Sequence, residues 1–342
     1  MIDERERNLN IRTTRMKPLT IDAHVHWVGN GSSGGGSWIR LSGPHRLLAR
    51  LMLRQMELPS SALSGDFDRL YTQRLLSWIR GSSIRSVVLL AHDEVYYPDG
   101  RRMEGVGSLY VPNDEVLTRA KQHPEFLPAV SIHPARPYAL DVLERCVAGG
   151  AVMMKCLPNC HNIDCADPRY RKFWERMAAL GLPLLAHTGG EHTVPVVNAK
   201  FSDPRILQQP LECGVTVIAA HCATRSGLND PDYFPHFVEM LRRYPKLYGD
   251  TSAFNLPARG RHIQTCLQPD VQERLIHGSD LPVPIQGLWA WVRGFISFRD
   301  YLRCRGIRNG IERDFQLKKA MGFGAEHFTR VGSLLRQGPS HS

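Results

Sequence analysis

Short apolar runs rich in β-branched residues recur along the chain, and stretches with helical spacing lie between them. The runs predict strands near residues 21–27, 86–91, 127–132, 152–156, 183–187, 216–221, 247–251 and 275–278. Helical periodicity covers 113–122, 139–148, 169–180, 204–213, 233–243 and 311–321. Two of these start well, because Asp167-Pro168 and Asp203-Pro204 put a capping carboxylate before proline at the first helical position. Strands alternating with single helices pair in parallel through right-handed crossovers. Eight such units close into an α/β fold of the (β/α)8 TIM-barrel type.

The spacing is uneven. Nearly sixty residues, 28–85, separate the first two strands, about twice what one crossover needs. This insertion holds a glycine- and serine-rich loop at 29–37 and helical stretches at 44–56 and 67–80. Because it follows strand one, it is expected over the C-terminal mouth of the barrel, as a lid or pocket wall. The expected organisation is a polar N-terminal extension at 1–18, a barrel at 19–330 and a C-terminal tail at 331–342.

A chain of 342 residues with 42% apolar content can build a large core as one barrel. No run is long and apolar enough to span a membrane, and residues 1–17 are charged and polar without the apolar core of a signal peptide. Eight cysteines show no paired spacing, so reduced thiols and a cytoplasmic location are expected. The net charge is +10, yet no nucleic-acid reading motif accompanies it. A solvated, arginine-rich surface accounts for the charge, and a positive field around an anionic small-molecule substrate fits equally. A homo-oligomer is compatible with this composition.

The chemistry lies at the strand ends. His24 and His26 close the first run, Lys155 the fourth, His187 the fifth, His221 the sixth and Asp280 follows the eighth. One histidine after an apolar strand is ordinary packing. Donors repeated at the ends of separate barrel strands converge on one point, as a metal requires. His24 and His26 are two apart, so both leave the same face of the strand. Neutral imidazoles with a carboxylate suit a divalent ion, zinc foremost and manganese as the alternative.

These residues carry a resemblance. His24-Val25-His26, Gly278-Ser279-Asp280-Leu281-Pro282, Asp167-Pro168-Arg169-Tyr170 and the run from Leu180 to Gly189 resemble the amidohydrolase superfamily, in its amidohydrolase-2 or aminocarboxymuconate-semialdehyde-decarboxylase-like branch. The resemblance extends from Ile21 to Pro284 and implies metal ligation by His24, His26 and Asp280, with His187 joining in single-metal members. In two-metal members a carboxylated strand-four lysine bridges the ions, and the histidines of strands five and six hold the second. Lys155 stands at that position, so one ion or two, the latter with carboxylated Lys155, both remain open. An uncarboxylated Lys155 would be unprotonated, aimed at an anionic substrate or turned outward.

The implied activity is hydrolysis of a small carbonyl ester, lactone or amide, with Asp280 moving the water proton and His221 either assisting or ligating. Nonoxidative decarboxylation on the same scaffold is the alternative, and a catalytically silent binding protein the third reading. Arg225, His192, Asn159 and His161 follow metal-bearing strands and are candidate substrate contacts. Cys156, Cys160, His161 and Cys165 match no familiar zinc spacing. His277 is expected to point away from the centre, and Asp250 to cap a loop.

Overall fold

The structure is a computed structural model that describes residues 18–337. Eight parallel strands run in chain order around one sheet: β1 Ile21–His26, β2 Ser86–Leu90, β3 Phe126–Val130, β4 Met153–Cys156, β5 Leu184–Ala186, β6 Val217–Ala219, β7 Leu247–Asp250 and β8 Leu275–Ile276. The last strand returns to the first. Ala23 N–H donates to His277 O at 3.0 Å, Asp280 N–H to His24 O at 2.9 Å and His26 N–H to Leu281 O at 2.8 Å. The (β/α)8 barrel predicted from the run pattern is therefore what forms. Among the described residues, no helix is long and apolar enough to cross a membrane.

The strand-one histidines face inward because of a bulge. Asp22 pairs with Val87 and Val25 with Leu89, so β1 carries one residue more than β2 over this interval. Ile21 and Ala23 pack inside the barrel with Val88, Leu90, Met153, Leu185, Ile218 and Ile276. Beyond the extra residue the parity shifts. His24 and His26 take over the inward positions, and Val25 and Trp27 pack outward against the helical layer.

Most helices lie where periodicity placed them, with two differences. The 169–180 and 204–213 segments each begin as a 3-10 turn, Pro168–Tyr170 and Pro204–Leu207, before the α-helices Arg171–Ala179 and Gln208–Glu212. In both, the aspartate before proline accepts from the second backbone N–H beyond it. An antiparallel ribbon of Trp38–Ile39 and Leu109–Tyr110 has no counterpart in the sequence reading. Two-residue strands are too short to show alternation. This ribbon ties the insertion to the loop after β2.

The C-terminal segment expected as a tail packs into the barrel floor as far as Leu335. Val331 and Leu335 are buried with Ile21, Val88 and Met153, and Arg336 N–H donates to Val152 O at 3.0 Å. The N-terminal extension at 1–17 and residues 338–342 lie outside the described residues.

Candidate metal centre

His24, His26 and Asp280 meet at the C-terminal end of the barrel. His24 Nε2 lies 3.2 Å from His26 Nε2, and each is 3.3 Å from Asp280 Oδ1. Two donors bound at about 2.0–2.1 Å to one ion in tetrahedral geometry stand roughly 3.3 Å apart, so this triangle fits a divalent ion. His221 completes the group, since a donor atom of His24, His221 and Asp280 all lie within 4.8 Å of one another. The His187 ring lies edge-on to His221 at 5.0 Å, and His187 Nε2 is buried without a hydrogen-bond partner. A buried imidazole nitrogen without a hydrogen bond is available as a further donor.

Charge reinforces the fit. Burial pushes His24, His187 and His221 below the ordinary imidazole value, His187 to about 3, so they stand as neutral donors at neutral pH. Burial acts to raise Asp280, but His24 and His26 outweigh it and hold the carboxyl at about 2. Two donor residues also sit on left-handed backbone, His221 at φ 58° and Asp280 at φ 70°. L-residues adopt that conformation at a cost, and it turns both side chains inward where the strands end.

Lys155 points inward, which removes the outward alternative. Its Nζ is 3.0 Å from His24 Nε2, the side chain is fully buried, and burial lowers its pKa. It stands against the donor cluster and is not among the residues that line the open cleft.

The surrounding shell was largely invisible in the sequence. Asp250 is not merely a loop cap: its carboxylate accepts from His24 Nδ1–H at 2.7 Å and from the His221 N–H at 2.7 Å. Gly278 lies against His24, where a Cβ would meet the His24 Cβ at 2.8 Å. Glu191 comes within 3.5 Å of His187 Nε2. Burial acts to raise its carboxyl, but His187 and the Thr193 hydrogen bonds outweigh that and keep it low. His92, which follows β2, lines the cleft with His26 and could have been found by the same strand-end rule.

Residues 105–302, more than half of the chain, match the amidohydrolase family profile. The chain belongs to the amidohydrolase family. Among solved structures this amidohydrolase resembles an uncharacterised TIM-barrel protein from Bordetella bronchiseptica, with 16% identity, a TM-score of 0.54 and coverage of 89% of this chain and 99% of that one. It also resembles a candidate 2-pyrone-4,6-dicarboxylic acid hydrolase from Pseudomonas putida, with 15% identity, a TM-score of 0.53 and coverage of 92% and 97%. Identities this low speak to the fold alone. No curated protein matches the sequence.

The four candidate substrate contacts of this amidohydrolase lie elsewhere. His192 is exposed and paired with Asp230 at 3.0 Å. Arg225 donates to Leu228 O at 3.1 Å in its own loop. Asn159 is buried, its backbone carbonyl accepting from the Val197 and Asn198 N–H groups and its side-chain amide donating to Ser202 Oγ, so it braces the loop after β5. His161 stands behind His92, with the two Nε2 atoms 3.1 Å apart. Sequence proximity to a metal-bearing strand brought each near the mouth, but loop geometry turned each aside. His277 points away, buried beside Asp314 and Phe328. The cysteine group forms no metal cluster among the described residues.

The open cleft holds about 140 Å³. The insertion supplies one wall through Ile39, Leu41, Met52, Leu53, Met56, Leu63 and Phe67, and His26, His187, Glu191 and Asp280 stand at the metal end. Among the described residues, no lysine or arginine lines it. Arg259, buried nearby, spends its guanidinium on Thr224 O and Gly190 O. The cleft wall is therefore apolar, and the net charge, which fitted a solvated surface and a positive field around the substrate equally, is not carried by it.

Proposed function

We propose that this amidohydrolase is a metal-dependent hydrolase of a small carbonyl ester, lactone or amide. The donor triangle of His24, His26 and Asp280 carries the reading, because its three donor atoms lie at the mutual distance one divalent ion needs. His187 and His221 extend the donor set, with zinc the ion best suited to it and manganese the alternative. A bound divalent ion would acidify water and polarise the carbonyl under attack.

The chain's own residues do the rest. Asp280, ionised at neutral pH, accepts the water proton and returns it to the leaving group. Asp250 fixes the His24 tautomer by taking its Nδ1–H, which leaves Nε2 free as a donor to the ion. Ser252 Oγ, 2.7 Å from His221 Nδ1, orients that ring in the same way. His92 lines the cleft beside His26, and the insertion walls the reacting carbonyl off from water. Decarboxylation on the same scaffold would need a carboxylate substrate, and among the described residues no lysine or arginine lines the cleft to hold one.

Metal analysis of the purified protein, of chelated protein and of the His24→Ala and His26→Ala variants tests the assignment. Chelation should abolish hydrolysis of a panel of activated esters, zinc or manganese should restore it, and both variants should lose metal. Full occupancy in both variants would overturn the ligand assignment.

A further inference from the structure

The cleft between the metal centre and the insertion has a composition that selects for one kind of substrate. Past His26, His187 and Asp280 it is walled by Leu41, Met52, Met56, Leu63, Phe67 and Val194. The polar groups on that side are few, and the Tyr71 hydroxyl is already committed to His26 O at 2.8 Å. A charged group seated against the apolar wall would give up its hydration for few partners, His92, Ser108 and Thr193 being the neutral polar residues of the lining besides Tyr71 and the donor histidines. Two methionines in the wall allow it to adjust around a flat or a flexible apolar shape.

The size is equally specific. The cleft's 140 Å³ is close to the roughly 150 Å³ of an apolar protein cavity that stays dry and takes up benzene. We infer that the substrate carries an uncharged apolar group about as large as a benzene ring or a six-carbon chain, seated against the insertion while its carbonyl lies at the metal centre. This rests on the metal-dependent reading above and names the substrate class for it. The insertion then acts as the specificity element, since a barrel without it would leave the same donors facing open solvent.

Binding of four hydroxamates tests this by calorimetry, on protein loaded with zinc and on metal-free protein. Acetohydroxamate probes the metal centre alone, hexanohydroxamate and benzohydroxamate add the apolar group, and the monohydroxamate of adipic acid places a carboxylate at the end of a chain of the same length. Each buried methylene is worth about fourfold in affinity, so hexanohydroxamate, with four more of them, should bind roughly 250-fold tighter than acetohydroxamate. Benzohydroxamate should do similarly, and the adipic derivative should gain little. Leu41→Asp and Val194→Asp, at partly exposed cleft positions, should each weaken hexanohydroxamate at least tenfold more than acetohydroxamate.

Equal affinity across the tails, or tightest binding of the adipic derivative, would overturn the inference. Failure of the metal reading looks different. In that case no probe would bind more tightly with zinc than without it, while the gain from the apolar tail would persist in the metal-free protein and still support the cleft assignment.

Discussion

Asp250 Oδ2 accepts the Nδ1–H of His24 at 2.7 Å, and the same carboxylate accepts the backbone N–H of His221 at 2.7 Å. One side chain at the end of β7 thus fixes the ring of a β1 donor and the backbone of a β6 donor. A carboxylate behind a ligating imidazole holds its tautomer and raises its basicity. Asp250→Asn keeps the size but presents either a weaker acceptor or a second donor. Zinc affinity, measured by competition with a chromophoric chelator, should fall roughly 10- to 100-fold. Unchanged affinity would mean that His24 is held by packing alone.

Lys155 decides the number of ions. If it is carboxylated and bridging, Lys155→Ala should lower occupancy from about two ions per chain to one or fewer. Native mass spectrometry of the zinc-loaded protein reads both the stoichiometry and the added carbon dioxide. One ion in both wild type and variant would reject the bridge and leave Lys155 as a neutral amine beside His24.

Asp280→Asn separates proton transfer from binding. Asparagine keeps an oxygen donor but cannot take up a proton at neutral pH. The metal-replete variant should lose turnover of p-nitrophenyl hexanoate by at least ~10²-fold, the lower end of a general acid–base contribution. Near-normal turnover with full metal would move the proton to another group, His221 being the next candidate.

A pH effect on stability arises away from the centre. Burial pushes His133 from 6.5 down to about 3, while its Nε2–H donates to His161 O and its Nδ1 accepts from Ala135 N–H. Between these two values only the unfolded chain takes up the proton. The contribution to stability is therefore intact above pH 6.5 and is lost as pH falls toward 3, with a slope of about 1.4 kcal/mol per pH unit for one proton. His133→Gln should flatten the loss of unfolding free energy between pH 6.5 and 4 in metal-free protein. An identical pH slope in wild type and variant would show that His133 is not one of the protons taken up. His92 is depressed to about 3 as well, so part of the slope should survive.

Hydrophobic patterning by itself determined the barrel. Apolar runs of strand length, separated by amphipathic helices, leave little choice but parallel strands with helices outside, and the closure from β8 to β1 follows. The same pattern placed His24, His26, Lys155, His187, His221 and Asp280 at strand ends, because a strand's terminus is written in the sequence where the apolar run stops. What lies between elements was not written there. That Asp250 faces His24, that Glu191 reaches His187, and that Arg225 and His192 turn away all depend on loop conformation and on contacts between distant segments. The bulge in β1, which sets the inward parity of the first two donors, is a matter of register against β2. The character of the mouth was decided at the same level. Net charge is a sum over the whole surface, whereas the cleft is walled by the few apolar side chains that the insertion folds over the metal centre.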